Sequence, residues 1–210
     1  VTTPIAHKWE TEFNKMGFAG NLNLDLQLSQ QFGDKENTKL NAQVALAKNQ
    51  IRWGNNPPAI ISKGSLVVNE NGLRKVDING SFMGGPLLVK TNPNDENQTD
   101  IRADMDSTLL AELLAVNGDI NPEFNQKILS GKIGLQGSLL TKRNENSLNL
   151  NLDLKSTAIN LPKPFLKNAG EPLLGSLKLN VLSSSNPFID WQLKIGNMLQ
   201  TTGQASEDKI

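Results

Sequence analysis

The chain has 210 residues, one histidine and no cysteine, and its 21 basic and 21 acidic side chains cancel to a formal net charge of zero. Scattered charges without a basic run argue against nucleic acid as a partner, and the absence of cysteine excludes disulfides and thiolate metal sites. No stretch of the sequence approaches the roughly 18 continuous apolar residues that a membrane-spanning helix needs.

The first predicted element is a short helix at residues 3–16. Its apolar residues Ile5, Trp9, Phe13 and Met16 follow one another at spacings of four, four and three, which places them on one helical face. The chain begins with Val1 rather than methionine and without a signal peptide. We therefore expect it to be a segment of a longer protein, whose anchor or targeting segment lies elsewhere.

Most of the following chain alternates apolar and polar residues, most clearly at 21–28 and 147–154, where leucine occupies every second position. A period of two predicts strands with one apolar and one polar face. Turn sequences such as Asn71-Gly72, Gly84-Gly85-Pro86 and Asn92-Pro93-Asn94-Asp95 separate the strands, which predicts antiparallel hairpins in a meander. The predicted strands are at about 17–29, 38–48, 64–69, 73–82, 86–91, 98–105, 131–140, 147–156, 175–182, 188–196 and 199–204.

A helix is predicted at 107–116, in the middle of the strand series. Asp106 is its expected N-cap, and Asn117-Gly118 is its expected end. Its leucines form one apolar face, which would either cover an edge or mouth of the sheet or lie against the sheet as a lid or plug. A second, shorter helical turn is predicted near 122–129.

The two halves of the chain resemble each other. A strand, a proline-containing stretch and a Gly-Ser-Leu sequence occur at 40–66 and recur at 150–177, with offsets of 110 and 111 residues. Either one unit is used twice, at about 17–105 and 131–204, joined by the helix at 107–116, or the likeness reflects only the shared alternation of leucine and asparagine.

Motifs for catalysis or metal binding are missing. His7 is the only histidine, and the sequence contains no Gly-x-Ser-x-Gly, His-Glu-x-x-His or phosphate-binding loop. The acidic and amide residues at 92–96 lack calcium-loop spacing. We therefore predict a protein that is not an enzyme, with no catalytic residue, no metal site and no cofactor.

Alternation leaves open what the apolar face contacts. Pattern alone favours a second sheet, as in a β-sandwich. The dominance of leucine over valine, an aromatic content of 5% and the absence of tyrosine favour a surface for an apolar ligand instead.

Two segments contain glycine, proline and lysine at characteristic spacings. The first comprises Gly64-Ser65-Leu66, Asn71-Gly72-Leu73 and the run from Ile78-Asn79-Gly80 to Gly84-Gly85-Pro86. The second contains Leu161-Pro162-Lys163-Pro164 followed by Lys167. Together the two segments resemble YhdP-type proteins of the AsmA-like superfamily. The sequence departs from the family pattern at Ser156, where the family usually has glycine.

This resemblance implies a mainly β fold: an elongated, curved antiparallel sheet that forms a taco-like half-barrel with an apolar groove, plus one or two short helices. The chain would be one segment of a longer periplasmic groove, in a protein anchored in the inner membrane of a Gram-negative bacterium. The implied function is non-catalytic conduction of phospholipid between the inner and outer membranes, which maintains the outer-membrane barrier. The alternative is a structural or interaction β-sandwich domain of an envelope scaffold.

The resemblance also implies partners. Phospholipid acyl chains would contact the groove, adjacent segments of the same full-length chain would pair with the strand edges at 17–29 and 199–204, and membrane contact would come from regions outside this segment. The predicted lipid-lining residues are Leu22, Leu24, Leu26, Leu28, Leu40, Val44, Leu46, Leu66, Val68, Val76, Ile78, Phe82, Ile101, Ile133, Leu135, Leu148, Leu150, Leu152, Leu154, Leu177, Leu179, Val181, Trp191, Leu193 and Ile195.

Overall fold

The structure, a computed structural model, describes residues 16–29, 39–53, 58–69, 72–109, 128–142, 145–182 and 188–206. Nearly all of them lie in twelve strands. The strands are β1 (Met16–Ser29), β2 (Lys39–Trp53), β3 (Ala59–Asn69), β4 (Gly72–Phe82), β5 (Gly85–Asn92), β6 (Asp95–Asp106), β7 (Leu129–Lys142), β8 (Glu145–Asp153), β9 (Thr157–Ile159), β10 (Leu174–Leu182), β11 (Phe188–Ile195) and β12 (Leu199–Ser206).

All twelve strands belong to one antiparallel sheet. Each strand pairs with the next strand along the chain, except that β8 pairs with β10, while the short β9 pairs with the beginning of β7. β1 and β12 are the two edges and do not pair with each other, so the sheet is open. The expected meander and elongated, curved antiparallel sheet are confirmed. No second sheet forms among the described residues, so the sandwich arrangement is not adopted there.

Helix occupies little of the described chain. Residues 107–109 are helical, and the backbone N–H of Thr108 donates to the Asp106 Oδ1 at 2.8 Å, which is the expected N-cap contact. The remainder of the helix at 107–116 and residues 122–127 of the second predicted turn lie outside the described residues, and only Ile128 of that turn is helical. The predicted helix at 3–16 also lies outside, apart from Met16, which begins β1.

The Gly-Gly-Pro sequence forms a tight hairpin turn between β4 and β5. Met83 and Gly84 are the two central residues, with φ angles of 48° and 75°. Two successive positive φ angles define the type of two-residue turn whose twist matches that of the flanking strands. Pro86 is the second residue of β5, so the sequence prediction of a strand reversal at this place is confirmed.

The strand register places most of the leucine, isoleucine and valine residues on one side of the sheet and most of the polar residues on the other. Directly opposed residues on neighbouring antiparallel strands share a side. We call the two sides the apolar face and the polar face. A row that crosses the polar face consists of Asn23, Ala45, Ser65, Asp77, Lys90, Asp100, Ser138, Asn149, Lys178, Gln192 and Thr202.

A compact core lies on the apolar face near one end of the central strands. It consists of Met83, Ala103, Met105, Ile133 and Leu154, which are 2–8% exposed, and we call it the apolar cluster. Leu109 of the helical turn and Leu173, which precedes β10, pack against it. The segments that leave β6 and β8 therefore cover one margin of the apolar face.

Glycines permit close approach between strands. A Cβ atom on Gly80 would overlap the carbonyl oxygen of Ile60, and one on Gly137 would overlap the carbonyl oxygen of Asn149. Only glycine fits where a neighbouring backbone comes this close. A bulge at Gly20, where β1 pairs with β2, further bends the sheet at its first edge.

Candidate functional site

The structure brings the predicted lining residues together on the apolar face. Leu24 lies opposite Val44, Val44 opposite Leu66, and the same alternation continues from strand to strand. Leu28 and Leu40 are directly opposed at the end of β1 and β2. The residues chosen from β7, β8, β10 and β11 follow the same parity in their registers. The face thus contains residues that are more than 100 positions apart in the sequence.

One row of this face crosses eleven strands and contains no charged residue. Its members are Leu22, Leu46, Gly64, Ile78, Val89, Ile101, Gly137, Leu150, Leu177, Leu193 and Thr201. Ten steps between strands of roughly 4.8 Å each give a path of about 48 Å. The row is therefore long enough to cross the whole sheet.

The solvent exposure of the face varies along its length. At the β1 edge, Leu22, Leu24 and Leu26 are 56–57% exposed, which is high for leucine in a sheet. Leu46, Val76, Ile133 and Leu154 are only 4–8% exposed and serve as core. Most of the other predicted lining residues are half-buried. The face is thus covered near the apolar cluster and also at Leu46 and Val76, which lie outside that cluster, and it is more accessible at the other positions.

Leu152 belongs to the covered part, because it packs against the apolar cluster. Leu150, one pleat further along β8, is half-buried and outside that cluster. A charge at Leu152 would therefore disturb folding as well as any ligand contact. Leu150 is the better position at which to test the surface.

The alternation of apolar and polar residues in the sequence does not identify several residues of the apolar face. β5 contributes Leu87 and Val89, which pair with Ala103 and Ile101 of β6. The run Leu87-Leu88-Val89 does not alternate, because Leu88 lies on the polar face and is 40% exposed. Only the register of β5 against its neighbours identifies which of the three residues belong to the face.

Buried polar groups hold the segment between β8 and β10 in place. Lys167 is 5% exposed, and its Nζ donates to the carbonyl oxygens of Thr157 at 2.6 Å, Asn168 at 3.0 Å and Lys155 at 3.4 Å. Thr157 is fully buried, and its hydroxyl donates to the Lys132 carbonyl at 2.7 Å. Lys167, which belongs to the second segment that resembles the YhdP family, therefore has a structural role: it holds neighbouring backbone segments together.

Glu171 closes the same segment through Asn168. The Asn168 side-chain amide donates to the carboxylate at 2.8 Å and its backbone N–H donates at 3.3 Å. These hydrogen bonds from Asn168, together with the nearby positive charge of Lys167, hold the pKa of Glu171 below its usual range. The carboxylate is charged at neutral pH and fixes the turn that precedes β10.

The polar face carries ordinary surface electrostatics. Lys90 and Asp77 are 3.7 Å apart with both side chains about half exposed, a geometry that contributes little stability. Within the described ranges, no group of three or more histidine, cysteine, aspartate or glutamate side chains is placed to hold a metal ion. His7 lies outside those ranges. In the described part of the chain we also find no helix with the length and apolar character to cross a bilayer.

The apolar face offers a surface for contact with hydrocarbon. Its side chains are mostly aliphatic, with a few threonines and the aromatic residues Phe82 and Trp191. Trp191 covers Gly203 of the neighbouring strand. Contact with apolar groups removes such a surface from water, which is favourable in proportion to the area covered.

The family model for the YhdP protein matches residues 1–209. No curated protein and no solved structure matches the chain. The family match therefore covers all of the residues that form the apolar face.

Proposed function

The chain belongs to the YhdP family, and from this membership we propose that its apolar face conducts phospholipid acyl chains between the inner and outer membranes of a Gram-negative bacterium. The protein catalyses no reaction in this process. Lipid headgroups stay in water at the margin of the sheet while the tails slide over the aliphatic side chains. The resulting supply of phospholipid maintains the outer-membrane barrier.

The continuous apolar row from Leu22 to Leu193 is the observation that supports this proposal. Its nine steps between strands give a length of about 43 Å, which exceeds that of a single acyl chain, and the apolar face is only a few side chains wide. Such a shape suits hydrocarbon chains that move past one another better than it suits the rounded footprint of a globular partner. Aliphatic side chains also lack hydrogen-bond specificity, as a path for varied tails requires.

In this proposal, other parts of the full-length protein provide the anchor and the contacts with the membranes. We place the apolar face in the periplasm, within a longer groove whose remaining parts anchor it in the inner membrane and contact the membranes. The open edges β1 and β12 are where adjacent segments of the same full-length chain continue the sheet. Unpaired backbone N–H and C=O groups at such edges are satisfied by a further strand.

Photocrosslinking in the full-length protein tests the function. Benzoylphenylalanine replaces Leu150, which lies on the apolar face and is half-buried. In a second protein it replaces Asn151, the next residue of β8, which lies on the polar face and is exposed. With phosphate-labelled phospholipid in living cells, we expect lipid adducts at position 150 and, because adjacent strand residues point to opposite sides, a background level at position 151.

Equal labelling at both positions would show non-specific contact with membrane. Labelling at neither position would contradict a lipid-conducting face. Because only one side chain changes in each protein and both lie in the same strand, differences in expression and folding are small and can be checked by thermal melting.

A further inference from the structure

The open part of the apolar face is not equally wide along the sheet. At β10 the open part comprises three successive positions on the apolar face, Leu177, Leu179 and Val181, all half-buried. At β11 their partners are Leu193, Trp191 and Ile189. Successive side chains on one face are roughly 6.6 Å apart along a strand, so the open hydrocarbon surface there is about 13 Å wide between the outer rows.

β5 and β6 offer much less open surface. Leu87 and Ala103 are taken up by the apolar cluster. The next pair on the face is Val89 and Ile101, both half-buried and outside the cluster. The pair after that is Thr91 opposite Thr99, and the chain then turns at residues 93–94. A single aliphatic row therefore remains between the covered core and a pair of hydroxyl groups.

Thr91 is fixed in this arrangement. Its Oγ1 accepts a hydrogen bond from the backbone N–H of Val76 at 2.8 Å. β4 and β5 pair only as far as Asp77 and Lys90, so the threonine hydroxyl satisfies a backbone group that the sheet leaves unpaired. This hydrogen bond holds the Thr91 side chain in place, so its hydroxyl stays at the polar margin of the apolar face and does not rotate away.

We infer that Val89, Thr91, Thr99 and Ile101 form a constriction in the lipid path that admits one acyl chain at a time. The inference rests on the proposed function and locates the step at which passage along this segment is limited. A row of aliphatic side chains is about as wide as one extended acyl chain, since both are single files of methylene and methyl groups. In the wider parts of the face, two tails of one phospholipid lie side by side. At the constriction, only one tail fits on the Val89–Ile101 row, so the two tails of one phospholipid pass it one after the other.

Single charges distinguish the constriction from the wider face. Ile101→Asp places a carboxylate in the one aliphatic row that the described residues of β5 and β6 leave open, so no aliphatic route around it remains there. Leu179→Asp, the matched variant, places the same charge in the middle of three rows, and tails can pass on either side. Both positions are half-buried, and thermal melting establishes that both full-length proteins are folded.

Passage is measured by pulse-labelling phospholipid and crosslinking it to benzoylphenylalanine at Val44, on one side of the constriction, and at Leu193, on the other. For Ile101→Asp, we expect the ratio of labelling at the two crosslinking positions, Val44 and Leu193, to change by roughly tenfold or more. The reason is that a charge in an apolar path must be desolvated by every passing tail. For Leu179→Asp, we expect the same ratio to change by less than about threefold, because apolar rows remain beside the charge.

A variant that widens the aliphatic surface at the constriction provides the second test, which introduces no charge. Thr99→Val removes one hydroxyl and adds an aliphatic position beside Ile101, so label should cross to the far side up to about threefold faster. Thr202→Val makes the same chemical change on the polar face and should leave the rate unchanged.

Equal effects of Ile101→Asp and Leu179→Asp, or no faster crossing with Thr99→Val, would overturn the constriction while leaving the lipid path intact. Absence of lipid adducts at both Val44 and Leu193 in the unaltered protein would instead contradict the proposed function itself.

Discussion

The ammonium group of Lys167 lies among backbone carbonyl oxygens, and it is only 5% exposed. Three carbonyls accept hydrogen bonds from it, so one side chain ties together the turn after β8, β9 and the chain that leads to β10. Hydrogen bonds to charged donors are stronger than neutral ones. This side chain therefore orders a segment that is rich in proline and has little regular structure.

Lys167→Met should destabilise the fold by about 1–3 kcal/mol, because the methionine fills similar space but leaves buried carbonyl oxygens without a donor. Lys163→Met, four residues earlier and exposed, should change the unfolding free energy by less than about 0.5 kcal/mol. Chemical denaturation of the two variants measures the difference. Equal losses of unfolding free energy for the two substitutions would show that Lys167 does not hold these backbone segments together.

Ser156 illustrates how a departure from the family pattern is accommodated. It is exposed, it occupies the turn after β8, and it is not among the described residues with positive φ. Glycine's additional conformational freedom is therefore not required at this position. The Ser156 carbonyl accepts a hydrogen bond from the backbone N–H of Lys132 at 3.3 Å, so the backbone makes the contact whichever side chain is present.

At the scale of the strand, glycine determines where neighbouring strands approach most closely. Gly137 faces Leu150 in the continuous apolar row, and its missing side chain leaves room for the Asn149 carbonyl. Gly137→Ala should therefore cost about 1–3 kcal/mol, since the strands must separate to admit a methyl group. Urea unfolding compares it with Gly17→Ala in β1, where the nearest atom to a new Cβ is 3.8 Å away. A near-neutral Gly137→Ala would show that the strand spacing is not set by this glycine.

Alternation identifies strands well but locates their irregularities poorly. Eleven of the twelve strands of the sheet coincide with stretches that the alternation and the turn sequences between them predict. β3 begins five residues earlier than expected, at Ala59, because a bulge near Ser62 interrupts its alternation. β9 is missed because it has three residues in a non-periodic segment and exists only through its pairing with β7.

Most of the apolar face could be predicted from alternation within the strands, although Leu87 and Val89 of β5 could not. Which parts of the face are covered and which are open could not be predicted. Leu150 and Leu154 have the same place in the alternation, yet Leu154 is 5% exposed and Leu150 is half-buried. The difference arises because the apolar cluster combines side chains from the β4–β5 turn, β6, β7 and the end of β8. A pattern within one strand contains no information about such a junction.

At the scale of the whole molecule, the two open edges are where the proposed continuation of the sheet by adjacent segments can be tested. β1 exposes Leu22, Leu24 and Leu26 on the apolar face and has one strand partner, β2. Continuation of the sheet by an adjacent segment would cover the other side of β1 and extend the apolar row.

Hydrogen exchange of the full-length protein tests this continuation. We expect the outward-facing amides of β1 to exchange as slowly as those of β2, because both sides of the strand are then hydrogen-bonded. Alternate β1 amides that exchange orders of magnitude faster than those of β2 would show a free edge. The central strands β6 and β7, paired on both sides within this segment, provide the slow-exchange reference.

The order of the strands has a consequence for how the protein is made. From β1 to β8, every strand pairs with the strand synthesised just before it, so no strand must wait for a distant partner. The entropy of closing long loops, which slows most β proteins, is largely avoided. The sheet can therefore grow one hairpin at a time as the chain emerges, in the manner of a repeat protein that propagates from its first unit.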